Sequence, residues 1–133
     1  MRIILDTNVL ISGIFFKGPP YQVLSAWRDG HIDLIVSEKI FTEYVEVCQR
    51  LNDKYPTIEI HGILDLIALN AQFYQPIESK SQITADPDDD KFIECAIAAD
   101  VRIIISGDQH LLDVNGYHGI EVVRPADFIA NFL

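Results

Sequence analysis

Two apolar triplets constrain this chain most: Ile3-Ile4-Leu5 near the start and Ile103-Ile104-Ile105 far along it. Neither leaves a polar face, so each reads as a strand covered on both sides. Ile32 to Val36 is a third run of this kind. Helix-like segments separate them. Strands alternating with helices predict an α/β fold, a parallel sheet with helices on both faces. At 133 residues there is enough chain for one domain with a real core, and 1–133 is read as one.

Two of these runs end in acidic residues. Asp6-Thr7-Asn8 follows the first, and Ser106-Gly107-Asp108 follows the Ile103–Ile105 run. Open α/β sheets place ligands outside the carboxyl ends of their strands. The alternative for Asp6 is an ordinary helix cap.

The intervening segments sort the remaining acidic residues. Thr7 to Phe16 reads as a helix broken by Lys17-Gly18-Pro19-Pro20, and Tyr21 to Arg28 as a second. Ser37 suits the N-cap of a helix from Glu38 to about Leu51, whose apolar stripe is Ile40, Tyr44, Val47, Cys48 and Leu51. Glu43 falls on that stripe and Glu46 on the polar side. Ile58 to Phe73 is another amphipathic helix with His61 toward solvent, and Tyr74 to Ile77 a short strand. Asp86-Pro87-Asp88-Asp89-Asp90 then opens a helix running from Lys91 to Asp100, with Pro87 at its first position and Asp86 as cap. Four aspartates in five positions exceed what capping needs. Asp89 shares the i, i+3, i+4, i+7 stripe with Phe92, Ile93 and Ala96; Asp90, about 100° further round, is the alternative, and Asp86 stays open. A short helix over 109–113, a strand over 120–123 and a last helix from Pro125 complete the chain.

Asp6, Glu43, Asp89 and Asp108 can therefore converge at one sheet edge. Clustered carboxylates repel one another unless cations neutralise them. Oxygen ligands without Cys or His favour Mg²⁺ or Mn²⁺. Two such ions roughly 4 Å apart can activate water and stabilise the leaving oxygen of a phosphodiester. The net charge of −10 argues against a broad basic surface for nucleic acid, though bound cations can supply the positive charge. Cys48 and Cys95 lack zinc spacing and read as small buried hydrophobes in a reducing compartment. No run suits a membrane span or a signal peptide, so the expected location is cytoplasmic.

In order and spacing these motifs resemble the PIN-domain ribonucleases over essentially the whole chain. The resemblance rests on Leu5-Asp6-Thr7-Asn8, on Ser37 followed by Glu43, on Asp88-Asp89 followed by Phe92 and Ala96, and on Ser106-Gly107-Asp108. It implies a three-layer α/β/α sandwich with a mostly parallel sheet and metal-dependent hydrolysis of RNA. It further implies that Asp6, Glu43, Asp89 and Asp108 are the catalytic residues and the Mg²⁺ or Mn²⁺ ligands, with Asp90 the alternative to Asp89. Asn8 would orient Asp6 or a water on the metal, and Ser106 would donate a supporting hydrogen bond. The Asp-Pro-Asp-Asp run resembles a bacterial and archaeal branch of toxins in toxin–antitoxin pairs. The apolar helices after Thr7 and Ile58 read first as core packing; a face for an antitoxin or for a second copy of the chain is the alternative.

Two other classes compete. A phosphoryl-accepting regulatory domain also gathers aspartates at strand ends, but it needs a central mid-chain aspartate and a late lysine that this chain lacks. A catalytically inactive binding module of the same fold would have to bury its carboxylates without metal.

Overall fold

In the computed structural model, which describes residues 1–56, 60–78 and 80–133, the apolar runs form the middle of a five-stranded, wholly parallel sheet. Its order is β3-β2-β1-β4-β5, with β1 at Arg2–Leu5, β2 at Asp33–Ser37, β3 at Gln72–Tyr74, β4 at Ile103–Ile105 and β5 at Glu121–Val123. The register aligns Ile3 with Leu34 and Ile4 with Ile104. Ile3, Ile4, Leu5, Ile35, Val36, Ile104 and Ile105 have no exposed surface. That is what strands with no polar face require.

The helices are α1 (Thr7–Phe15), α2 (Pro19–Arg28), α3 (Glu38–Lys54), α4 (His61–Asn70), α5 (Asp90–Ala99), α6 (Gln109–Leu112) and α7 (Pro125–Phe132). They cover the sheet as an α/β/α sandwich. Helix α2 packs on both α1 and α7, while α5 packs on β2, β3 and β4. None of the described helices is long and apolar enough to cross a membrane. Because every strand runs the same way, one edge of the sheet collects all the carboxyl ends. Helix α3 starts there, directly after β2, with the Ser37 hydroxyl capping it by accepting from Ile40 N–H at 3.2 Å. Helix α5 leads into β4 from the other edge, so its own N-terminus also lies at the carboxyl edge.

Several boundaries differ from those expected. Helix α4 stops at Asn70 rather than Phe73, because Ala71 turns extended (φ −71°, ψ 151°) and the chain enters β3. The strand spans Gln72–Tyr74, not 74–77, pairing with Ile35–Ser37 and ending before Pro76, which has no N–H to donate. Helix α3 continues one turn past Leu51, to Lys54. The expected helix start at Ile58 lies outside the described residues. Cys48 and Cys95 are free and buried, and burial pushes their thiols up to about 11 and about 12. Both are therefore inert packing residues.

Candidate metal centre

Asp6 follows β1 and precedes α1, where a capping aspartate would be expected. Its carboxylate makes no cap hydrogen bond. The first turn closes on the Asp6 carbonyl instead, which accepts from Val9 and Leu10 N–H at 3.0 and 3.2 Å. The side chain, 4% exposed, turns across to β4, where Ser106 Oγ donates to Asp6 Oδ2 at 2.7 Å. Ser106 Oγ also accepts from Asp108 N–H at 2.9 Å. Asp6, Ser106 and Asp108 are thus one connected unit spanning two neighbouring strand ends. Burial raises Asp6 above the usual carboxylate range; the Ser106 bond opposes that, and the charges of Asp108 and Glu43 add to it.

Helix α3 is pinned to the same place. Tyr44 Oη, fully buried, donates to the Leu5 carbonyl at 2.5 Å. One residue earlier, Glu43 accepts from the Thr7 hydroxyl through Oε2 and pairs with Lys91 Nζ through Oε1 at 2.8 Å. Glu43 is half-buried and Glu46 exposed, as their helical phase requires. Lys91 gives Glu43 a partner independent of any metal.

The aspartate run behaves differently from its expected phase. Pro87–Asp89 is a 3₁₀ turn, capped by Asp86 Oδ1 accepting from Asp88 N–H at 3.0 Å, and the α-helix starts only at Asp90. Extending α-helical phase back through that turn overstates the burial of Asp89. Asp90 is the more buried of the two, at 9% exposed. Its carboxylate is fully engaged in structure, accepting from Thr84 N–H at 2.8 Å and Ile83 N–H at 3.0 Å. Asp89, half-buried, faces Asp108. Its Oδ2 atom is buried with no hydrogen-bond partner among the described residues. Ionised, the two facing carboxylates are both acceptors, and a shared proton or a cation between them relieves the repulsion. Burial first, then the facing Asp108 carboxyl, with smaller contributions from Asp6 and Asp86, pushes Asp89 up to about 7.

Asn8 is exposed and, with Asp108 and Gly107, lines a groove of about 370 Å³. A larger one, about 760 Å³, opens beside Glu43 and Lys91. Thr7, Lys91 and His110 were not among the expected site residues. His110 lies 3.9 Å from Asp89 Oδ2 and 4.0 Å from Asp108 Oδ1 through Nδ1. Among the described residues, Asp86, Asp89 and His110 are grouped closely enough to hold one ion.

Aspartates gathered at the carboxyl edge of a wholly parallel sheet define a class of α/β protein with an acidic, cation-ready cleft. The family model described as "PIN domain" matches residues 2–110, from the first strand to His110, and the chain belongs to that family. No curated protein matches the chain. Family membership points to nuclease-type chemistry, and the clustered acids suit a divalent cation.

Proposed function

We propose that the chain is a divalent-metal-dependent endoribonuclease in which Asp6, Glu43, Asp89 and Asp108 hold Mg²⁺ or Mn²⁺. The observation carrying this reading is Asp89 Oδ2, buried without a donor among the described residues and facing a second carboxylate. Such an arrangement is costly when left uncompensated, and a cation between the acids would offset it. The chemistry the ions supply when bound is activation of water at neutral pH and neutralisation of charge developing on the phosphodiester. The protein's part is positional. Ser106 holds Asp6 toward Asp108, Thr7 orients Glu43, and Asn8 stands in the groove beside Asp108, where it can contact substrate or water. The grooves beside Glu43 and beside Asp108 give a single-stranded substrate two approaches to the acids.

The direct test is cleavage of labelled single-stranded RNA. Activity should vanish in EDTA, return with Mn²⁺ or Mg²⁺, and be lost in Asp6→Asn and Asp108→Asn variants that remain folded. Cleavage by those variants at the wild-type rate would exclude this reading. A toxin role is the finer proposal, supported by the resemblance of the Asp-Pro-Asp-Asp run. Induced expression should then arrest growth, and a co-expressed antitoxin should relieve it; normal growth with active enzyme would leave a nuclease without that role.

One observation favours a catalytically inactive binding module: Lys91 already neutralises Glu43. Titration calorimetry separates the two, because the inactive module takes up no Mn²⁺.

A further inference from the structure

His110 stands apart from the carboxylates, on the first turn of α6. Its main-chain N–H donates to Asp108 Oδ1 at 3.2 Å, which fixes where the side chain leaves the backbone. The ring nitrogen Nδ1 then lies 3.9 Å from Asp89 Oδ2 and 4.0 Å from Asp108 Oδ1. Those separations are too long for hydrogen bonds. They do suit atoms sharing a cation: with bonds of about 2.1 Å, adjacent ligands of an octahedron lie about 3 Å apart and opposite ones about 4.2 Å. One ligand atom each from Asp86, Asp89 and His110 fall within 4.8 Å of one another. The nearer of these two carboxylate oxygens, Asp89 Oδ2, is also buried with no hydrogen-bond partner among the described residues.

We infer that His110 is a nitrogen ligand to an ion held with Asp89 and Asp86, and that this donor biases the site toward a divalent transition ion over Mg²⁺. The inference rests on the metal-dependent reading above and adds the identity of the ion. Mg²⁺ favours oxygen and keeps its waters, whereas first-row transition ions gain from an imidazole nitrogen. A centre built only from Asp6, Glu43, Asp89 and Asp108 would carry no such bias.

The test uses Mn²⁺ alone, followed by electron paramagnetic resonance, with Mg²⁺ as competitor. Bound Mn²⁺ should show spin-echo modulation from a histidine ¹⁴N, and Mg²⁺ should displace it only in large excess. The His110 side chain is 49% exposed, so His110→Gln should fold normally. That variant should lose the nitrogen modulation and bind Mn²⁺ ~10-fold more weakly, with Mg²⁺ affinity nearly unchanged. If Mn²⁺ binds wild type without nitrogen modulation, His110 is no ligand, and the metal reading of the carboxylates survives alone. Equal losses of Mn²⁺ and Mg²⁺ affinity in His110→Gln would remove the claimed bias. Wild type that takes up no Mn²⁺ would sink this inference and the metal reading together.

Discussion

Ser106 Oγ donates to Asp6 Oδ2 at 2.7 Å, joining neighbouring strand ends that are 100 residues apart in the chain. The bond counteracts the burial and like charges that raise Asp6. We predict that Ser106→Ala weakens Mn²⁺ binding ~10-fold, read by calorimetry, with little change in fold. Ser106→Thr keeps the hydroxyl and should retain most of the affinity, provided its extra methyl fits a position with no exposed surface. Wild-type affinity in Ser106→Ala would mean that Asp6 is positioned by its backbone alone.

Helix α1 carries Thr7 and Asn8, and its seat depends on Gly13. A Cβ there would come within 2.6 Å of Leu24 Cδ1 and 2.8 Å of the Pro20 carbonyl oxygen. The leucine can rotate, but the carbonyl belongs to the α2 backbone. Gly13→Ala should therefore cost about 1–3 kcal/mol through overpacking, less ~1 kcal/mol regained from alanine's helix propensity. Thermal unfolding reads the net loss. A variant more stable than wild type would show that α1 and α2 can separate freely.

Asp90 and Asp89 are adjacent, yet only the Asp90 carboxylate accepts from main-chain N–H groups among the described residues. Asp90→Ala leaves the Ile83 and Thr84 N–H groups without their acceptor, and Thr84 is itself buried. Each unsatisfied group costs about 1–3 kcal/mol, so unfolding in denaturant should move to clearly lower concentration. Under conditions where the variant is folded, Mn²⁺ affinity should stay near wild type. A large loss of affinity at unchanged stability would instead make Asp90 the ligand.

The sheet was legible because Ile3-Ile4-Leu5 and Ile103-Ile104-Ile105 have no polar face, which leaves a strand few environments. Glu43 over Glu46 was equally legible, since helical phase is reliable inside a long regular helix such as α3. The same phase misjudged the burial order of Asp89 and Asp90, because Pro87 starts a 3₁₀ turn with a different angular step. Phe73 fits the amphipathic pattern of α4 as well as a strand, and only pairing with Val36 decides between them. Lys91 and His110 were missed for another reason. Their relation to the acids is set by tertiary approach, of Lys91 to Glu43 on α3 and of His110 to Asp89 at the end of the 3₁₀ turn, and no local pattern carries it.

Asp89 also ties stability to pH. It loses its proton at about 7 in the folded chain, against 3.8 for the unperturbed group. With the folded value raised, its contribution to stability without metal is complete below 3.8 and lost as pH climbs through about 7. Asp89→Asn carries no such charge. In EDTA, its stability relative to wild type should therefore rise between pH 5 and pH 8. Discounted for the solvent screening of a half-buried group, the gain is about 1 kcal/mol, or ~4 °C in melting temperature for a domain of this size. Saturating Mn²⁺ should reverse the order at pH 8, because wild type then binds the ion more tightly than the variant and gains stability by mass action. Melting curves at both pH values, with EDTA and with Mn²⁺, provide the check. A difference that ignores both pH and Mn²⁺ would show that the facing carboxylates of Asp89 and Asp108 are neither strained by charge nor relieved by a cation.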